Sequence, residues 1–242
     1  NGDMLGSISN MVINGNGAST TGIFINSGMA FFKISDMCFF SCTDYVVETK
    51  GALIFHVTDC RVGGGMNGFK IRAGDGYFAN LITFTNVQFG SLGGIATNIN
   101  GGSQIIFNSC DWENNGTIGN MSTGNIVASG LSALGEGVDL TFNNCWSEVT
   151  YGGYWLNMQG TSGVTVFRDT MVWQPSATGS APVGIINNGN KILLTGSTSL
   201  KGFPTDIRTT NNGQTRVDGF ATVGTHSETT GGTFKTNNAS YI

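Results

Sequence analysis

Ile82-Thr83-Phe84-Thr85-Asn86-Val87 carries the pattern that decides the fold. In an extended chain Ile82 and Phe84 point to one face and Thr83 and Thr85 to the other. Asn86 then marks a corner, because Asn, Asp and Gly tolerate the left-handed backbone that a sharp bend needs. Val87, compact and apolar, turns back inside. The same corner recurs at Ile8-Ser9-Asn10-Met11, Ile34-Ser35-Asp36-Met37, Val57-Thr58-Asp59-Cys60, Phe107-Asn108-Ser109-Cys110, Phe142-Asn143-Asn144-Cys145, Phe167-Arg168-Asp169-Thr170 and Leu194-Thr195-Gly196-Ser197. With Asn86 in place, the third positions of the eight copies are separated by 26, 23, 27, 23, 35, 25 and 27 residues. A period of that size announces a solenoid in which one repeat is one coil.

Each repeat holds a second apolar block, such as Gly22-Ile23-Phe24-Ile25, Tyr45-Val46-Val47, Gly68-Phe69-Lys70-Ile71, Gly124-Asn125-Ile126-Val127, Trp155-Leu156-Asn157-Met158 and Gly184-Ile185-Ile186. Together with the strands on either side of the corner this gives about three strands per coil. Stacked corner side chains are expected to hydrogen-bond the backbone of neighbouring coils. No window sustains a capped helical period, so helix should be nearly absent. Corners of the type Phe107-Asn108-Ser109-Cys110-Asp111-Trp112 resemble those of the right-handed parallel β-helix of pectate lyases and phage tailspikes. The resemblance covers residues 8 to 203 and implies an all-β fold, a right-handed parallel β-helix with 23 to 27 residues in most coils. It speaks to architecture rather than chemistry. Residues 1–203 are read as the β-helix. Residues 204–242 lose the motif, as in Thr209-Thr210-Asn211-Asn212-Gly213, and are read as terminal coils or an irregular extension of the same domain.

Composition fits: 38 glycines in 242 residues and 11% charged residues depart from the usual ~7% Gly and ~25% charged, as short strands joined by tight turns require. A net charge of −4 without a basic run argues against a nucleic-acid partner. No apolar run approaches the roughly 18 residues of a membrane span, and no charged-then-apolar leader is visible. The start at Asn1-Gly2, without Met, suggests an excised or processed fragment. Cys60, Cys110 and Cys145 share the small inward site after the corner and behave there as small hydrophobes. With no C-x-x-C pair and two histidines, His56 and His226, neither a metal site, a cofactor nor a disulfide framework is expected.

Chemistry is sought on the outward positions after the corner. Counting the corner residue as zero, position two reads Cys38, Arg61, Gln88, Asp111, Trp146, Met171, and position four reads Phe40, Gly63, Gly90, Glu113, Glu148, Trp173. With coils about 4.8 Å apart and residues i and i+2 about 6.6 Å apart, Asp111, Glu113, Glu148, Trp146 and Trp173 should form one patch. Two carboxyl groups at such spacing can share the work of protonating a leaving oxygen and activating water or attacking. Tryptophans offer flat platforms for sugar rings, and Tyr151, Tyr154 and Trp155 follow on the Glu148 coil. The 35-residue spacing adds an insertion that could wall the face. Arg168, beside the corner column, could contact an acidic sugar or pair with Asp169.

Asn67-Gly68-Phe69-Lys70-Ile71-Arg72 is similar to the basic strand of polygalacturonases, but that family's other motifs have no counterpart here. The acids near Arg61 are too sparse for the calcium cluster of a pectate lyase. The remaining resemblance is to phage tailspikes and capsule or O-antigen depolymerases. It implies a homotrimer on the virion, outside the cell, that binds and hydrolyses a bacterial surface polysaccharide. Glu113 and Glu148 are then the acid and the nucleophile or base, with Asp111 in reserve, and Trp146, Trp173, Tyr151, Tyr154 and Arg168 contact substrate. The alternative is a non-catalytic receptor-binding or structural shaft. Neither membrane nor nucleic acid enters either case.

Overall fold

The structure, a computed structural model, describes residues 6–18, 20–26, 30–74, 79–130, 137–160, 163–175, 181–229 and 231–236. Among these every regular element is a β-strand, and the chain winds as a parallel β-solenoid with a 17-stranded sheet and a 9-stranded sheet. One coil shows the plan. Asn80–Thr85 forms a first arm, the chain bends at Asn86, Gln88–Gly90 forms a second arm, and Ile95–Asn100 closes the coil in the smaller sheet. Both arms belong to the larger sheet, which therefore folds over the corner. Three strands per coil, all pairing with the coil before and after, match the sequence expectation.

All eight third positions do adopt the left-handed conformation, with φ between 50° and 66°. Their backbone N–H groups reach the next coil: Asp59 donates to the Thr85 carbonyl at 3.0 Å, Asn86 to Asn108 at 2.9 Å, Ser109 to Asn143 at 2.9 Å and Asn144 to Arg168 at 2.9 Å. The side chains join one another more than the backbone. Asn86 Nδ2 donates to Asp59 Oδ1 at 2.6 Å and Asn144 Nδ2 to Ser109 Oγ at 3.4 Å. Only at Asp169, which accepts from the Ser197 N–H at 2.8 Å, is a corner side chain seen holding the neighbouring backbone among the described residues.

Two further left-handed columns, absent from the sequence reading, square the coil. Ser41, Gly64, Ser91, Asn114 and Val149 end the second arm, and Phe31, Ile54, Leu81 and Gln104 open the first. A left-handed β-branched residue is unfavourable on its own; here each one repeats the bend of the coil beneath it, and the parallel ladder holds it there. The eighth corner contains one residue more than the others. Leu194 pairs with Phe167 but Ser199 with Met171, so Thr198, not Ser197, fills the inward site.

Inside the tube the motif positions stack on themselves. Phe84, Phe107, Phe142 and Phe167 lie face to face, with centroids 4.9, 5.0 and 4.7 Å apart. Met37, Cys60, Val87, Cys110, Cys145 and Thr170 form the adjacent buried column, and all five cysteines are free thiols. Trp112 and Trp155 are wholly buried and meet edge to face at 5.8 Å. Trp155 is therefore core, not a surface platform. Beyond residue 204 the coils continue in register through the strands Thr205–Thr210, Gln214–Val217, Thr222–Val223, His226–Glu228 and Thr233–Thr236.

Candidate functional site

The second arm is a three-residue ribbon held between two left-handed corners, so its two outward positions are fixed by the backbone on both sides. Along the solenoid the first outward row runs Cys38, Arg61, Gln88, Asp111, Trp146, Met171, and the second runs Phe40, Gly63, Gly90, Glu113, Glu148, Trp173. Between them the inward row, Phe39, Val62, Phe89, Trp112, Ser147 and Val172, is buried. The rows anticipated from corner counting are the rows of the structure. Asp111 lies beside Trp146, and Glu113 beside Glu148, which lies beside Trp173. Trp146 and Trp173 are 41% and 37% exposed, so both present surface to solvent in the rows that contain the carboxylates.

The three acids are not equivalent. Asp111 Oδ2 accepts a long hydrogen bond from Gln88 Nε2 at 3.5 Å, while Oδ1 is buried and has no hydrogen-bond partner. Burial raises the Asp111 carboxyl to about 6, helped by the negative charges of Glu113 and Glu148 and opposed by the Gln88 amide and the Trp112 N–H. A carboxyl that keeps its proton near neutrality while carboxylates stand beside it is the arrangement acid–base catalysis uses.

Next to the acids the second row contains no side chain at Gly63 and Gly90. Their absence opens a groove of about 240 Å3, lined by Phe40, Arg61, Val62, Gln88, Ser91 and Glu113 among others. Glycine inside a strand often marks a place where another chain or ligand comes close. Arg61 and Gln88 overlook this trough from the first row, and Asp111 is the next residue in that row. Gly63, Gly90, Arg61 and Gln88 were missed as site residues. The signal was present in the aligned rows, as two consecutive glycines beside the acids.

The other candidates lie elsewhere. Tyr154 is buried in the smaller sheet; its hydroxyl donates to the Ser122 carbonyl at 3.1 Å and burial raises it to about 12. It braces the loop 116–123 rather than meeting solvent. That loop takes up part of the long spacing at the exit of the carboxylate strand, where Thr117 Oγ1 donates to the Gly93 carbonyl at 2.5 Å. Much of the remaining insertion falls at 131–136, outside the described residues. Tyr151 follows the Val149 corner and is half-buried. Arg168 is exposed on the first arm, across the Asp169 corner from the acids. Asp169 is engaged by the Ser197 N–H and hydroxyl at 2.8 and 2.9 Å, which lowers its carboxyl below the ordinary range. Among the described residues no group of three His, Cys, Asp or Glu side chains is placed to hold a metal ion, and no helix is long and apolar enough to cross a membrane.

Comparison with protein-family models, with curated proteins and with solved structures gives no match for this chain.

Proposed function

We propose that this chain is a tailspike-like β-helix of a phage appendage, acting outside the cell, which binds a bacterial capsule or O-antigen polysaccharide and hydrolyses it on the second arm. The observation that carries the proposal is the half-buried Asp111 carboxyl, shifted to about 6, in register with exposed Trp146 and two residues from Glu113, which is in register with Glu148 and lines a groove. Asp111 is the proton donor to the leaving oxygen, which changes the order of roles expected from the sequence. The backbone of Glu113 lies about 6.6 Å from that of Asp111 along the strand, and that of Glu148 about 8 Å away across one coil and two residues. Carboxyl groups projecting outward from such backbone spacings would have room for a water molecule between them, as an inverting glycosidase requires. The glutamate takes a proton from water as its oxygen bonds to the anomeric carbon; the glycosidic bond breaks, and the leaving oxygen takes the Asp111 proton. Trp146 and Trp173 support sugar rings, and the groove over Gly63 and Gly90 seats the chain on the N-terminal side.

Incubation with capsule and O-antigen preparations should release new reducing ends. Asp111→Asn and Glu148→Gln should each lower that release at least about 100-fold while glycan binding persists. Cleavage unchanged in both variants would remove the enzyme reading.

A non-catalytic receptor-binding or shaft module is the second reading, favoured by one observation. Phe31, Ile54 and Leu81 stand side by side on successive coils at an outer corner, with Phe31 and Leu81 exposed. Such a stripe would serve as a seam between the chains of a homotrimer. Sedimentation should then report three times 25.4 kDa, and Leu81→Asp should return the chain to monomer.

A further inference from the structure

The first arm carries a second groove that is unrelated to the carboxylates. It lies on the last coils, encloses about 540 Å3 and is lined by Val164, Lys191, Leu193, Gln214, Arg216 and Lys235 among others. Strand register stacks its outward residues in two rows: Lys191, Gln214 and Thr233 in one, and Leu193, Arg216 and Lys235 in the next. Three successive coils thus each present one cation to the same trough. The sequence conceals this cluster, because its members are separated by 25 (216−191) and 19 (235−216) residues.

Two observations indicate that the cations serve a ligand. Arg216 and Lys235 are direct partners on adjacent strands, and like charges placed opposite one another cost stability. Among the nearby carboxylates of the described residues only Asp218, which also lines the groove, is ion-paired to one of the three cations. Asp218 pairs with Arg216 at 2.8 Å, Asp139 accepts from the Val164 N–H at 2.8 Å, and Asp169 is occupied by Ser197. Lys191 and Lys235 have no ion-pair partner among the described residues. A protein of net charge −4 therefore keeps two lysines without an ion-pair partner beside the paired Arg216 in one trough, which also contains the side chains of Val164, Leu193 and Gln214.

We propose that this trough is a separate, non-catalytic docking site for an acidic glycan, a sugar chain bearing carboxylate or phosphate groups and lying along the solenoid axis. Cations about one coil apart match a polymer with repeating anionic groups. Val164 and Leu193 meet the apolar faces of the sugar rings, and Gln214 and Thr233 offer hydrogen bonds to hydroxyls. The lining residues named include no aromatic ring on which a base could stack, which favours a glycan over single-stranded nucleic acid. The site stands on a different arm from Asp111, so an acidic chain would be anchored away from the repulsive carboxylates.

The test is direct binding, measured without reference to cleavage. Oligogalacturonate, short-chain polyphosphate, neutral dextran and duplex DNA are titrated at low salt against the wild-type chain and against the triple variant Lys191→Gln, Arg216→Gln, Lys235→Gln. All three positions are exposed, so circular dichroism should show the variant folded. Oligogalacturonate or polyphosphate should bind, with affinity falling as salt rises, and the triple variant should bind at least about tenfold more weakly. The tighter of the two tells whether the natural group is carboxylate or phosphate. Wild-type and variant binding alike, dextran binding as well as the anions, or neither anion binding would each overturn the proposal. DNA binding as tightly as the acidic oligomers would also overturn it, by reassigning the groove to nucleic acid.

Discussion

Replacing Phe142 by Ala tests whether the aromatic column holds the solenoid together. The ring is wholly buried, stacked on Phe107 at 5.0 Å and on Phe167 at 4.7 Å, with Trp155 at 5.3 Å and Trp112 at 6.1 Å. Phe→Ala in a core costs about 3 to 5 kcal/mol, the upper values belonging to sites that cannot collapse around the void. Here the neighbours sit on strands whose spacing is fixed at about 4.8 Å by the parallel ladder. Loss of two stacked contacts, each about 0.5 to 1.5 kcal/mol, points the same way. We therefore expect about 4 kcal/mol, or roughly 8 to 16 °C in Tm for a chain of this length. Because a solenoid is stabilised through nearest-neighbour coils, hydrogen exchange should rise first in Val138–Asn143 and Val164–Arg168 and spread outward. A loss under about 1 kcal/mol by urea unfolding would mean that the ring is not packed in that stack.

Asp111 binds its proton more tightly folded, near 6, than as an ordinary carboxyl near 3.8, so its contribution to stability is present below about pH 4 and lost as pH rises through 6. The full gap would be about 3 kcal/mol, but a half-exposed group is screened and about 1 kcal/mol is expected; Asp111→Asn should gain that much at pH 7.5 and nothing at pH 3.5, and equal stability of both proteins at pH 7.5 would contradict the shift. In thiol labelling, half-exposed Cys38 should react quickly, and buried Cys42, Cys60, Cys110 and Cys145 slowly, with Cys60 further slowed because burial raises it to about 11. Rapid labelling of all five would refute the column. A Cβ at Gly90 would meet its nearest atom, the Glu113 carbonyl oxygen, at 3.8 Å, so Gly90→Leu should keep Tm while filling the groove and weakening glycan binding at least about tenfold; unchanged affinity would place the glycan elsewhere.

What was legible in the sequence is what residue chemistry marks. The Asn86-type corners needed left-handed residues and showed them as Asn, Asp, Ser or Gly, and from that anchor the pairs Asp111 with Trp146 and Glu113 with Glu148 followed by counting. The other two corners were hidden because Ile54 at φ 52° and Val149 at φ 57° are residues that no local rule would place there; the stacking of coils selects them. The eighth corner slipped by one because Gly196-Ser197-Thr198 offers two small residues for one inward site. Tyr154 was misplaced for a related reason: in Gly152-Gly153-Tyr154-Trp155 nothing local sets which rings face inward, and Tyr154 is engaged by the loop 116–123 from the preceding coil. The order among the acids was also invisible, since it depends on how deeply Asp111 is buried beside its row neighbour Gln88.

The central claim is that Asp111 keeps a proton close to neutrality on a face that also carries Glu113, Glu148 and exposed tryptophans. A carbon-detected NMR titration of the Asp111 carboxyl tests it without any substrate. The predicted midpoint lies near 6 and moves down when Glu113→Gln removes the neighbouring charge. A midpoint near the ordinary 3.8, unmoved in that variant, would contradict the assignment of Asp111 as the acid.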